Sequence, residues 1–295
     1  MPLMVMILDA SELAREINMG LSSITKSAGI SESGRARLGR LVRQVPGPIR
    51  VAEAGAVLGL DRQRTSWLLS AWVRRGWLQR LARGVYAPVP LEAQAGSQPA
   101  VDPWVVATTV LVPCYITGWS AAGEWGLTEQ LYRVTAVARA RRTRNRRPTP
   151  GGAPFFVVTR PLPREGRVAR WRDGVRVEVA DPALTVVDML DDPRLGPGIR
   201  EASGTLVAYL RSDRRDDPAL IRYAEARGNG AVFKRMGHLL ERLAPGEAGL
   251  LEACETRLSQ GYAKLDPGVD GRGPRRARWR VVENVQIAAQ DRLQQ

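Results

Sequence analysis

The stretch GLDRQRTSWLLSAWVRRGWLQRLARGVYA, residues 59–87, decides how the first third of the chain folds. Gly59 and Leu60 make a tight turn, and Asp61 stands where a helix needs a side-chain acceptor for its orphan backbone donors. Behind it Thr65, Leu68, Leu69, Trp72 and Val73 recur at three and four residues, which predicts an amphipathic helix ending at Gly76. Residues 77–81 and 85–87 read as two strands joined around Arg83-Gly84, a hairpin, with Trp72 and Trp77 as packing residues. Upstream, Leu38, Leu41, Val42 and Val45 mark a helix over 35–45 that Pro46-Gly47-Pro48 closes, and 51–58 reads as a second short helix. Helix, helix, turn, helix, hairpin is the order of a winged helix-turn-helix.

In such a module the side chains that reach DNA lie opposite the apolar face of the last helix. At about 100° per residue, Gln63, Trp67, Ser70 and Arg74 fall on that outer side, flanked by Arg64 and Ser66. Glutamine pairs bidentately with adenine and arginine with guanine, so Gln63, Arg64, Ser66, Trp67 and Ser70 form the candidate base-reading set. Arg62, Arg74, Arg80 and Arg83 are candidate phosphate contacts, adding affinity without identifying a base. Trp67 carries a competing expectation, and the favoured one: an outward tryptophan more often packs on a neighbouring helix. The bland reading of the whole surface is a protein-docking module with a solvated arginine face.

The remaining chain is long enough for a second core. With 295 residues and 44% apolar content, two domains are expected, 1–95 and 96–295, separated by a turn-prone linker running from Pro88 to Pro99. The first adds a helix at 11–18 to the winged module. In the second, helices are predicted at 103–110, 120–125, 182–190, 218–226, 231–243 and 246–258, with strands at 133–137, 155–159 and 175–179. That order makes the chain an α+β protein rather than a doubly wound sheet.

Lysine and arginine number 44 against 30 acidic residues, a net charge of +14 that attracts polyanions. Two clusters concentrate it. Arg139, Arg141, Arg142, Arg144, Arg146 and Arg147 crowd a segment read as an exposed loop between strands, either an arm for nucleic acid or a partner, or merely solvated. Arg272, Arg275, Arg276, Arg278 and Arg280 form the other, and an RNA-binding protein is one alternative that both suggest.

Catalysis has little to stand on. Cys114 and Cys254 are far apart and His238 is the only histidine, which leaves no zinc tetrad and no disulfide framework. No Gly-rich phosphate loop occurs, so no catalytic, cofactor-binding or metal residue is assigned and the chain reads as a non-enzyme without a cofactor. Asp181-Pro182 looks like an N-cap with proline in the first helical turn, Asp188 lies on the same helix, and Lys234 precedes His238 on an apolar one. These residues would serve the alternative reading, an enzyme that modifies a partner protein or a nucleic acid. A run of apolar residues long enough for a membrane span and a basic leader are both missing, and a cytoplasmic protein is expected.

The order of several short motifs resembles the AbiEi antitoxins of type IV abortive-infection toxin–antitoxin systems. They are Arg83-Gly84-Val85-Tyr86-Ala87; Tyr115-Ile116; Ser120-Ala121-Ala122; Gly126-Leu127-Thr128; Asp181-Pro182 with Thr185 and Asp188; Asn229 to Val232; Lys234 to Gly237; Leu239-Leu240-Glu241; Leu265-Asp266-Pro267; and Arg278-Trp279-Arg280. The likeness runs nearly end to end, apart from extra residues before Arg35 and the arginine-rich insertion after Arg139. It implies an autorepressor that binds double-stranded DNA at an inverted repeat in its own promoter, as two copies of a monomer or weak dimer. It also implies a second domain that counters a nucleotidyltransferase-like toxin.

Overall fold

A computed structural model describes residues 31–90, 101–143 and 145–287, so the expected helix at 11–18, the expected boundary at 95/96 and Arg144 lie outside the described residues. The winged module forms as its local signals dictate. Helix α1, Glu32–Gln44, starts under Ser31, whose hydroxyl accepts from the Gly34 amide, and stops before Pro46. After β1, Ile49–Arg50, come α2, Val51–Leu58, and α3, Arg62–Arg74. The Asp61 carboxylate caps α3 by accepting from the Arg64 amide at 2.8 Å.

The turn between α2 and α3 is held by a close approach. Gly59 is left-handed at φ 66°, the Leu60 amide returns to the Gly55 carbonyl, and the Thr65 hydroxyl donates to the Asp61 carbonyl at 2.7 Å. A Cβ at Gly55 would stand 3.0 Å from the Leu60 carbonyl oxygen and 3.2 Å from the Thr65 hydroxyl, so only glycine lets α3 lie this close to α2 without a shift. Strands β2, Leu78–Ala82, and β3, Val85–Pro88, complete an antiparallel sheet of order β1-β3-β2. Leu41, Ile49, Ala54, Leu69, Trp72, Leu78 and Tyr86 fill the core beneath it.

The second domain is built on a five-stranded mixed sheet of order β6-β5-β4-β8-β7. Its strands are β4, Cys114–Ile116; β5, Thr135–Arg139; β6, Phe155–Thr159; β7, Arg167–Arg172; and β8, Val175–Ala180. Helices α4, Pro103–Val110, and α5, Gly118–Glu124, precede it in the chain or alternate with its strands. The later helices are α6, Pro182–Asp191; α7, Ile199–Arg211; α8, Asp217–Arg227; α9, Ala231–Leu243; and α10, Ala248–Glu255. Short strands β9, Ala263–Lys264, β10, Arg275–Arg276, and β11, Val281–Val282, make a third sheet of order β10-β11-β9 near the end. Helix α6 is buried along almost its whole length, with Asp181 capping it through the Leu184 amide at 2.7 Å. The fold is α+β, an N-terminal region of helices and a small sheet followed by a larger mixed region.

Local sequence reading missed α7, β4, β7 and the terminal sheet, and placed β5 two residues early. The larger core also reaches into the wing: Leu81, Val85 and Ala87 are buried with it, and a bulge between Arg80 and Ala82 brings both Leu81 and Ala82 against the second domain. The Arg50 guanidinium crosses the same seam to the Thr109 carbonyl at 2.9 Å. One face of the wing sheet thus covers its own helices and the other covers the second domain. Among the described residues no helix is long and apolar enough to cross a membrane.

Candidate nucleic-acid interface

Burial of Thr65, Leu69 and Trp72 fixes the rotation of α3 and so decides which side chains face water. Gln63, Arg64 and Trp67 emerge together on the outer surface, while Ser66 and Ser70 are half-buried at its margin. Trp67 is 69% exposed, which overturns the packing expected for it. It lines a shallow hollow with Leu60, Asp61, Gln63, Arg64, Leu68 and, from α1, Arg37.

The charges around that face are available. Arg64 leans on Asp61 at 3.3 Å, but its side chain is 78% exposed and such a pair is worth only about 0–1 kcal/mol, so a base edge can displace it. Arg62 and Arg74 at the two ends of α3 are exposed, as are Arg80 and Arg83 on the wing. None of these four has an acidic partner among the described residues; Arg80 reaches only the Ala82 carbonyl at 3.4 Å. Sequence reasoning missed Arg37, although Arg35, Arg37, Arg40 and Arg43 all lie exposed on α1. Their recurrence on one helix was the available signal.

The other sequence candidates separate into unpaired and paired groups. Arg141, Arg142, Arg146 and Arg147 are exposed on the loop from β5 to β6 and have no acidic partner among the described residues. Arg139 does not belong with them. It is the last residue of β5, half-buried, with its Nη2 at 3.5 Å from the Val112 carbonyl and its Nε buried.

The terminal cluster is largely exposed but paired. Arg276 pairs with Glu283 at 2.5 Å, Arg278 with Glu241 at 2.5 Å and with Glu255, and Arg280 donates to the Ser259 carbonyl at 2.9 Å. Arg275 lies over the Tyr262 ring.

The residues that would serve an enzyme are likewise engaged. Asp188 is fully buried; one carboxylate oxygen accepts from Tyr115 at 2.8 Å and Thr117 at 2.6 Å, the other from Arg160 at 2.8 Å and from Arg227. Burial first, and the neighbouring Asp188 charge second, push the Tyr115 phenol far above its ordinary range, so it stays a donor to Asp188. Lys234 donates to the Gln260 and Gly261 carbonyls at 2.9 and 2.8 Å, and its pKa is lowered by burial and by nearby Arg280. His238 is buried, its two ring nitrogens are without a partner, and burial lowers its pKa. Burial likewise pushes the Cys114 and Cys254 thiols up to about 12, far from a reactive thiolate.

Residues 36–89, which span the winged module, match the family model of the AbiEi antitoxin transcriptional regulators. Over those residues the chain is similar to that family, and the match stops at the end of the wing. The crystal structure of RV2827C protein from Mycobacterium tuberculosis is similar at a TM-score of 0.57 and 17% identity, over 84% of this chain and 89% of that one. At that identity the likeness is one of fold. No curated protein matches the chain.

Proposed function

We propose that this protein is an antitoxin and autorepressor, in which α3 enters the major groove at an inverted repeat in its own promoter and the wing grips the flanking backbone. The observation that carries this reading is the coincidence of the AbiEi regulator match with an α3 face where Gln63, Arg64 and Trp67 stand free. Gln63 and Arg64 read bases near the start of the helix, Trp67 lies against apolar base edges, with Ser66 and Ser70 at the margin, and Arg62, Arg74, Arg80 and Arg83 hold phosphates. Two copies occupy the operator, because an inverted repeat mirrors the two-fold relation of the proteins that bind it. The second domain counters a nucleotidyltransferase-like toxin and performs no catalysis of its own. Asp188 and Lys234, engaged as they are, hold the fold in place.

Two assays in cells test the reading together. A reporter driven by the chain's own upstream region is expected to be repressed by the wild-type protein and released by the double substitution Gln63→Ala/Arg64→Ala. Co-expression with the partner toxin is expected to restore growth. Repression that survives the double substitution would remove α3 from the account, and growth arrest that persists would remove the antitoxin assignment.

A further inference from the structure

The arginine loop of the second domain ends on the wing. Its last residues lead into a short helical turn, Pro150–Gly152, and at Gly151, with φ +60°, a Cβ would stand 2.5 Å from Leu81 Cδ2 and 3.7 Å from Leu81 Cα. The positive φ favours glycine here, and any Cβ would push on the Leu81 side chain. Leu81 is buried there, so the turn and the wing are packed as one surface.

That seat fixes where the loop's charges lie. Arg147 precedes Gly151 by four residues and Arg83 follows Leu81 by two. At about 3.5 Å per residue, the two backbones stand within roughly 25 Å of each other, the length of about seven base pairs at 3.4 Å per step. Arg141, Arg142, Arg146 and Arg147 are exposed and unmatched by acid among the described residues, so the loop that ends on the wing carries free positive charge. We infer that these four arginines are a second DNA-contacting arm, which grips the phosphate backbone of the duplex flanking the half-site that α3 reads. The inference rests on the winged-helix reading above, because only that reading brings duplex DNA to the wing.

Duplex backbone suits the arm better than single-stranded RNA does. Residues 140–149, ARRTRNRRPT, contain no aromatic ring on which a base can stack, and arginines without stacking platforms hold phosphates without reading sequence. The arm therefore adds affinity and salt dependence at positions beyond the bases α3 contacts.

The test uses the full-length chain on two duplexes from its own upstream region, one trimmed to the bases nearest the inverted repeat and one extended by about ten base pairs on each side, long enough to pass under the loop. Binding is followed from low to moderate salt for the wild type, for Arg141, Arg142, Arg146 and Arg147 all changed to Ala, and for the same four changed to Lys. Each phosphate contact adds about 0.9 to the slope of log affinity against log salt, so the wild type is expected to be steeper on the extended duplex by about 2–3. The alanine variant, melting at the wild-type temperature, is expected to lose that difference and bind the extended duplex about 10- to 100-fold more weakly. The lysine variant is expected to retain it. Equal slopes on the two duplexes, or an alanine variant that binds like the wild type, would overturn the inference. So would a loop whose loss weakens competition by RNA and leaves the extended duplex untouched. Gln63→Ala/Arg64→Ala, run alongside, keeps the two readings apart: if it binds like the wild type the α3 reading fails, whatever the loop variants do.

Discussion

Two arginine-rich segments that look alike in sequence are matched differently by the rest of the fold. The loop carrying Arg141, Arg142, Arg146 and Arg147 presents free guanidinium groups, whereas Arg276, Arg278 and Arg280 near the C-terminus are bound to Glu283, Glu241, Glu255 and a backbone carbonyl. Composition reports both as positive charge. What separates them is where the acidic residues of the rest of the chain arrive, and the first kind of arginine has no carboxylate to give up before it meets a polyanion. The same division runs between the α3 and wing arginines, which face water, and Arg160 and Arg227, which are locked around Asp188.

The sharpest way to break this division is at its most buried point. Changing Asp188 to Asn removes the fully buried charge that holds Arg160 and Arg227, each about nine-tenths buried, leaves them only Asp191 at 3.3 and 3.8 Å, and is expected to cost about 3 kcal/mol of stability in denaturant unfolding. A variant that unfolds like the wild type would show that these arginines are no more committed than the outward ones.

Glu283→Gln is the milder version. Glu283 is buried and accepts from Arg242 and Arg276, but both arginines are more than a third exposed and water takes over part of the loss, so about 1–2 kcal/mol is expected. Arg83→Ala on the wing should do the reverse. Its melting temperature is expected to stay put, while binding to native and scrambled duplexes weakens alike and the salt slope drops by about one. A change in stability with no change in slope would move Arg83 to the paired group.

The smallest effect belongs to His238, on α9. Burial lowers its pKa, so below about pH 6.5 the unfolded chain takes up a proton that the folded chain refuses. Stability contributed by the neutral ring is present above that pH and is lost as pH falls toward the depressed folded value. Glu283 and Glu241 oppose the shift, and Arg242 and Arg276 reinforce it. Melting temperature measured from pH 7 to 5 is expected to decline, and His238→Leu is expected to flatten the decline. A decline of the same steepness in the variant would assign it to the carboxylates instead.

How much the sequence discloses follows the same line between local and distant causes. The winged module was legible because its signals are local: the Asp61 cap, the Gly59 turn, the apolar face of α3 and the Arg83-Gly84 hairpin all act within a few residues. The outward face of α3 came with them, since a helix with a known buried stripe has a known exposed one. Trp67 escaped because a tryptophan's size argues for burial while its position argues against it, and position prevailed.

Helix α7 escaped for another reason. It follows Gly196-Pro197-Gly198 with no local cap, and its first amide is capped by the Asp266 carboxylate at 2.8 Å, 67 residues further on. Strand β7, with three arginines in six residues, pairs with β8 at the edge of the sheet and looks like a solvated loop until the pairing is seen. The engagement of the terminal arginines was equally hidden, since the partners of Arg278 lie 37 and 23 residues away.

The account turns on whether the exposed face of α3 reads sequence, and one measurement addresses it: fluorescence anisotropy of the full-length protein on its own upstream duplex and on a scrambled duplex of equal length, repeated with Gln63 and Arg64 both changed to Ala. Bidentate contacts of these kinds contribute about 1–3 kcal/mol of discrimination each, so the wild type is expected to prefer the native duplex and the double variant to bind both duplexes equally. Equal binding of both duplexes by the wild type would contradict the account, reducing the winged module to a charged surface that holds any DNA.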